Sequence, residues 1–299
     1  MVGRLRTLEK ILFEHIYIPL KILAKDKRAL FGLFMLIAYI LISLIGPMII
    51  PLDLTPNLEE RYLPPSWKHP LGTDFAGRDI LAQLVHGGRD VLTAAFAAGI
   101  VTVGIGTVIG IIAGYMGGKI DTVITALIDI FLTIPGFPLL MVIAAWLLQS
   151  GIPINILTIA FVLSITSWAG LARAVRAQTL SIKNEEFIEV DKCLGLSKLY
   201  IIFYEILPNL MPYIAMNFML SSVSAIYSYT GLMALGLIPL TPGNWGAMIN
   251  MAQAYVGTIT GAGATYILAP SFAIILLQIS LVFLANGIDK IFNPRLREW

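Results

Sequence analysis

Six apolar stretches, about Leu30 to Ile50, Val91 to Tyr115, Thr122 to Leu148, Ile154 to Ala172, Leu210 to Ile238 and Ile267 to Ile288, decide what this chain can become. Each is close to or above the roughly 20 apolar residues that carry a helix across a hydrocarbon core of about 30 Å. Backbone in lipid must satisfy its own hydrogen bonds, so these stretches are predicted to be helices. With 58% hydrophobic and 13% charged residues, the 299-residue chain holds more apolar surface than one soluble core of that length encloses. The expected fold class is an all-α membrane protein with six transmembrane helices. Met1 to Arg28 is basic and precedes the first apolar run as in a secretory leader. That run is too long and ends in Ile49-Ile50-Pro51 without a small-residue cleavage pattern, so it reads as an uncleaved first helix.

The basic residues set the expected orientation. With the N-terminus in the cytoplasm, sixteen of the 20 Lys and Arg fall on inside segments, and only Arg61, Lys68, Arg78 and Arg89 fall outside. This places both termini in the cytoplasm and divides the chain into a cytoplasmic segment 1–29, a first transmembrane helix 30–51, an external loop 52–90, a five-helix core 91–288 and a cytoplasmic tail 289–299. Within the loop, Ile80, Leu81, Leu84 and Val85 lie opposite Arg78, Asp79, Gln83 and His86 after a Thr73 or Asp74 cap, the pattern of an interfacial amphipathic helix, although a helix packed on protein has the same pattern. The second span carries Ala98, Thr102, Gly106, Gly110 and Gly114 at four-residue spacing, a smooth packing face for another helix. Pro135 and Pro138 are expected to kink the third. The fifth carries Ser221, Ser222, Ser224, Tyr227, Ser228, Tyr229 and Thr230, too many hydroxyls for a lipid-facing surface, and is expected to line something wet.

Between the fourth and fifth spans lies the one long polar connection that reads as ordered, from Asn184 to Asn209. Asn184 is placed to cap a helix, Glu185 and Glu186 suit the positive end of its dipole, and Gly195 supplies a left-handed stop. Phe187, Val190 and Leu194 form a narrow apolar stripe turned away from Glu189 and Lys192. Ser197 can cap a second helix that is apolar from Leu199 to Leu207 and is expected to stop near Pro208. The short amphipathic helix at 184–195 then offers its stripe to something else; a polar connection that is helical without any partner fits the spacing equally well.

Resident chemistry is not encoded. Gly114-Tyr115-Met116-Gly117-Gly118-Lys119-Ile120 lacks the first glycine and the final hydroxyl of a phosphate loop, and neither HExxH nor GxSxG occurs. Cys193 is the only cysteine, and His15, His69 and His86 are scattered, so no metal site and no cofactor is expected. A formal net charge of +2 gives no reason to expect nucleic acid. Asp129 lies inside the third span and needs a partner or a wet cavity, which suits a structural hydrogen bond or a transport role.

With these residues in view, the chain resembles the inner-membrane permease subunits of ATP-binding-cassette importers, and among them the C-type permease of the dipeptide, oligopeptide and nickel group. Glu189, Gly195, Leu207 and Pro208 fall on the Glu-Ala-Ala, Gly, Leu-Pro signature of that family, with Val190 and Asp191 in place of the two alanines. Leu71-Gly72-Thr73-Asp74 with Gly77-Arg78-Asp79, the run from Asp121 to Asp129, Trp168 with Arg173 and Arg176, Trp245-Gly246, and the ending Asn293-Pro294-Arg295-Leu296-Arg297 match in order. The resemblance implies a type I importer permease fold in the plasma membrane that performs no chemistry itself. Its coupling helix would seat Glu186, Phe187, Glu189, Val190, Asp191, Leu194 and Gly195 against a separate ATPase, with Pro208 completing the signature. The implied partners are two ATP-binding subunits carrying ATP and Mg, a homologous second permease, an external substrate-binding protein and the lipid bilayer. Peptides are the implied solute, with oligosaccharides or nickel chelates as the alternative. Asp129, Ser221, Ser224, Tyr227 and Ser228 are the pathway candidates, and an ion-gradient carrier working through Asp129 is the competing reading from another class.

Overall fold

The computed structural model describes residues 25–241, 243–255 and 263–292. Arg4, Arg6, Lys10, His15, Lys21, Pro242, the glycine-rich residues 256–262 and the ending Asn293 to Arg297 lie outside them. Nine α-helices are described: α1 (Lys27–Ile49), α2 (Ile80–Met116), α3 (Gly118–Thr133), α4 (Gly136–Ser150), α5 (Ile156–Lys183), α6 (Glu186–Cys193), α7 (Leu207–Ala234), α8 (Trp245–Tyr255) and α9 (Ala264–Phe292). A single turn, Lys198–Tyr200, and a π-helical stretch, Ile201–Ile206, lead into α7. Five helices, counting Lys198–Ala234 as one, are long and apolar enough to cross a bilayer, and α3 with α4, bent by 83° at their junction, makes a sixth if taken as one span. The bend falls at Pro135, whose extended backbone starts α4, while Pro138 sits harmlessly in the first turn that follows.

The predicted interfacial helix in the 52–90 loop is not a separate element. Residues from Ile80 onward are the start of α2, which runs unbroken for 37 residues. Its cap is Asp79, whose carboxylate accepts from the Ala82 N–H at 2.8 Å, and not Thr73 or Asp74. Those two are occupied in the loop: the Thr73 hydroxyl accepts from the Leu63 N–H, and buried Asp74 accepts from the N–H groups of Ala76 and Arg78, from Arg78 Nε and from Gln83 Nε2. Ile80 and Val85 are buried against protein rather than laid on a membrane surface. Gly87 and Gly88 admit close packing within α2: a Cβ on Gly87 would lie 2.0 Å from the Gly243 carbonyl oxygen, and Gly88 faces Ser43 and Trp245.

The 239–267 segment, between the fifth and sixth spans, contains α8. Asn244 caps it, its side chain accepting from the Gly246 N–H at 2.9 Å, and Trp245, Met248 and Ala252 bury one face. Trp245 Nε1 donates to the Leu84 carbonyl at 2.8 Å, tying α8 to α2.

At the opposite end of the bundle, α1 is closed onto α9. Asp26 caps α1 through the Arg28 and Ala29 N–H groups, and Lys290 Nζ donates to its other oxygen at 2.7 Å. The Lys290 hydrogen bond, reinforced by the capping bonds, holds the Asp26 carboxyl below its ordinary range. A carboxyl depressed in the folded state adds stability above its unfolded pKa and loses it as pH falls through the folded value. Asp26→Asn keeps a capping side chain but not the ion pair, so the expected loss at pH 7 is under about 1 kcal/mol. The midpoint gap between the two proteins should narrow as thermal unfolding in detergent is repeated at pH values falling below the ordinary Asp range; a gap that stays constant throughout the acid series shows that the pair contributes nothing.

Candidate functional site

Two features stand out, a small helix at one end of the bundle and a cleft on its side. The small helix, α6, has Glu185 at its cap position, which makes no side-chain capping bond; Asn184 instead ends α5, donating its backbone N–H to the Ser181 and Ile182 carbonyls. The end of α6 is fixed by Gly195 at φ +76°, where the Leu196 N–H returns to the Asp191 carbonyl and the Gly195 N–H to Lys192. These two bonds satisfy the last carbonyls of a short helix, and the left-handed turn suits glycine. Ser197 then caps the next turn through the Tyr200 N–H at 3.2 Å.

The chain does not stop at Pro208. The Leu207 N–H reaches back five residues to the Ile202 carbonyl, and Pro208, which has no N–H, occupies the first turn of α7, so the wider π-helical turn absorbs the proline.

Ile188 is fully buried and holds α6 in a small core with Val175 of α5, Ile111 and Tyr115 of α2, and Ile201 and Ile206. The stripe named from sequence faces outward: Phe187, Val190 and Leu194 are 41%, 56% and 72% exposed, and Leu199, Phe203 and Tyr204 are exposed apolar residues on the segment that follows. Glu186 and Glu189 are exposed beside them. Asp191 is half-buried, with Oδ2 turned into the protein and lacking a hydrogen-bond partner. One of its two carboxylate oxygens is therefore turned away from the exposed surface of α6. Periodicity missed Ile188 because its partners come from other helices, while Asp191 and Lys192 stand at the neighbouring helical positions.

Helix α6 is placed by the close packing of α2 on α5. A Cβ on Gly106 would meet Leu171, one on Gly110 would come to 2.7 Å from the Ala172 carbonyl, and one on Gly114 to 2.7 Å from Thr179. Higher on the same seam the Thr102 hydroxyl donates to Ser164, which is itself bonded to the Ala98 and Ala160 carbonyls. At the lower end Lys183 Nζ donates to the Tyr115 carbonyl at 2.7 Å, a cation on the negative end of α2.

The cleft has a volume of about 490 Å³ and lies between the start of α4, the middle of α5 and α7. Asn217, Ser221, Ser224 and Ser228, at helical spacing, form its wall on α7 with Tyr227; Thr166 and Ser167 of α5 face them, and Gly136 and Phe137 complete the rim. The hydroxyl cluster is thus divided. Ser222, Tyr229 and Thr230 are buried on the other face of α7, where Ser222 donates to the Phe218 carbonyl and the Tyr229 hydroxyl accepts from Asn244 Nδ2 at 3.2 Å.

Asp129 is not a lone acid. It is paired with Arg173 of α5, and two turns away along α3 Asp121 accepts a forked pair of bonds from Arg176, the Nη2 contact measuring 2.6 Å. Among the described residues no cluster of three metal-ligating side chains occurs.

Residues 106–298 match the family described as binding-protein-dependent transport system inner membrane component, and residues 20–65 match the N-terminal transmembrane domain of oligopeptide transport permease C. The chain is 34% identical over 277 residues to the dipeptide transport system permease protein DppC of Bacillus subtilis, covering 92% of this chain and 84% of that one. It is 35% identical over 227 residues to the oligopeptide transport system permease protein OppC of the same organism, covering 75% and 73%. Among solved structures, a chain of the inward-facing MetNI methionine ABC transporter superposes with a TM-score of 0.58 at 20% identity, over 72% of this chain and 98% of that one, a likeness of fold.

Proposed function

The chain belongs to the family of binding-protein-dependent transport system inner membrane components, and on that premise we propose that it is a permease subunit of an ATP-driven importer of di- and oligopeptides. The observation that carries the reading is α6: a helix anchored by one buried isoleucine, with Phe187, Val190 and Leu194 left uncovered beside exposed carboxylates. An apolar stripe of that kind fits a groove on another subunit. In this reading the partner is an ATPase that carries ATP and Mg, and Glu186, Glu189 and Gly195 belong to the docking helix. Closing of two ATPases pushes α6, and because Ile188 is embedded between α5, α2 and the π-helical segment, the push passes into the spanning helices. The end of the bundle that carries α6 is the cytoplasmic end, with both termini on that side.

A homologous permease completes the pathway opposite the cleft, and an external binding protein delivers the solute. The cleft's hydroxyls and its single amide, Asn217, suit a hydrogen-bonding solute of varied side chains, which agrees with peptides and also accommodates oligosaccharides. The pairing of Asp129 with Arg173 argues against a gradient-driven carrier, since a carboxylate that accepts a guanidinium is poorly placed to carry protons alone.

Affinity purification of the tagged chain from its native membrane in mild detergent tests this. Two ATPases, a second permease and a binding protein should be retained, and ATP-dependent peptide uptake should follow reconstitution. Recovery of the chain alone, still transporting without ATP, would refute the importer reading.

A further inference from the structure

Helix α3, the break after it, and α5 run antiparallel in a constant register. Gly136 faces Thr166, Gly170 meets Leu132, and Asp129 is paired with Arg173. Thr166, Gly170 and Arg173 follow one another at four- and three-residue steps, so they share one face of α5. Thr166 lines the cleft, and Arg173 continues that strip two turns, about 10 Å, toward α6.

The pair at the end of this strip is unusual in being open. The side chains of Arg173 and Asp129 are 53% and 54% exposed, against 27% and 17% for Arg176 and Asp121 beside them. Charges on spanning helices are turned toward water or protein rather than lipid. No residue lining the cleft carries a charge. A solute leaving the cleft along this strip therefore meets fixed charges of both signs, side by side, at this place.

We infer that Asp129 and Arg173 form a binding station for the charged ends of a zwitterionic solute, Arg173 taking its carboxylate and Asp129 its ammonium group. This rests on the transport reading above. An exposed ion pair contributes only about 0–1 kcal/mol, so separating it costs little, and the solute supplies each partner with an equivalent counter-charge. The planar guanidinium donates two parallel hydrogen bonds to a carboxylate. The more buried Asp121–Arg176 fork keeps α3 on α5 while the open pair exchanges partners.

The test uses the assembled complex, nucleotide-free and without its binding protein, so that only the permeases select. Trialanine and its N-acetylated, C-amidated form are titrated and binding is followed by saturation-transfer NMR. The wild-type complex should prefer the zwitterion by about tenfold, the value of one charge-assisted contact, and Asp129→Asn and Arg173→Gln should each erase that preference. Equal binding of the two peptides by wild type, or variants that weaken both peptides in the same proportion, overturns the inference and leaves the pair as a structural clamp. Uptake of trialanine by wild-type proteoliposomes, with ATP and the binding protein present, is measured in parallel. Its absence would sink the peptide-importer reading itself, a result distinct from a missing preference.

Discussion

Gly110→Leu should leave almost no folded protein, while Gly104→Ala, six residues earlier on the same helix, should fold as well as wild type or better. At Gly110 a Cβ would lie 2.7 Å from both the Ala172 carbonyl oxygen and Val175 Cβ, whereas at Gly104 nothing lies within 4 Å. The first obstacle is backbone, which cannot rotate away as a side chain can. Overpacking a core that relaxes costs about 1–3 kcal/mol, but here relief requires α2 and α5 to separate along their whole seam. That movement would break the Thr102–Ser164 bond and the Lys183 contact to Tyr115, and would displace the core that seats Ile188. In lipid the driving force for helix contact is close packing, so no hydrophobic reserve compensates. Gly104→Ala gains about 0.5–1 kcal/mol of helix propensity. Recovery of monodisperse protein by size exclusion and thermal unfolding in detergent provide the comparison. Equal midpoints for the three proteins would mean that the two helices do not approach at Gly110.

The spanning helices were legible because lipid imposes one rule on a long stretch, so that length and absence of charge suffice. What the sequence hid depends on contacts between distant residues. Arg89 and Asp90 looked like the boundary before a span, yet α2 passes through them because Asp79 starts it and no stop occurs before Gly117. The helix α8 carried a readable signal, Asn244 followed by Trp245, Met248 and Ala252 at helical spacing, but Pro239 and Gly243 beside it read as loop. Asp129 was legible as a charge in need of a partner. That the partner is Arg173, 44 residues away, follows only from the register of α3 on α5. The hydroxyls of α7 pointed to a wet surface, but composition does not say which face each one takes. The helical spacing of Asn217, Ser221, Ser224 and Ser228 separates the cleft wall from buried Ser222 and Tyr229.

For α6 the same separation of faces yields the second large effect. Phe187→Asp together with Leu194→Asp should reduce retention of the ATPase subunits by about 100-fold or more, the combined loss expected of an aromatic and an aliphatic anchor at an interface. Neither residue is buried in this chain, so its own thermal midpoint should not move. Ile188→Ala should behave in the opposite way. Its side chain is fully buried, and truncation should lower stability by about 2–5 kcal/mol, leaving a cavity between α5 and the π-helical segment. With α6 loosened, ATPase subunits can remain attached while their ATP cycle no longer moves the spanning helices, so hydrolysis should continue without uptake. The pair of variants therefore distinguishes attachment from transmission, which a single loss of transport does not. If the double aspartate variant retains its ATPases, the uncovered stripe is not the docking surface and α6 is only a helical connection. If Ile188→Ala transports normally at normal coupling, the force reaches the membrane by a route other than this one buried side chain.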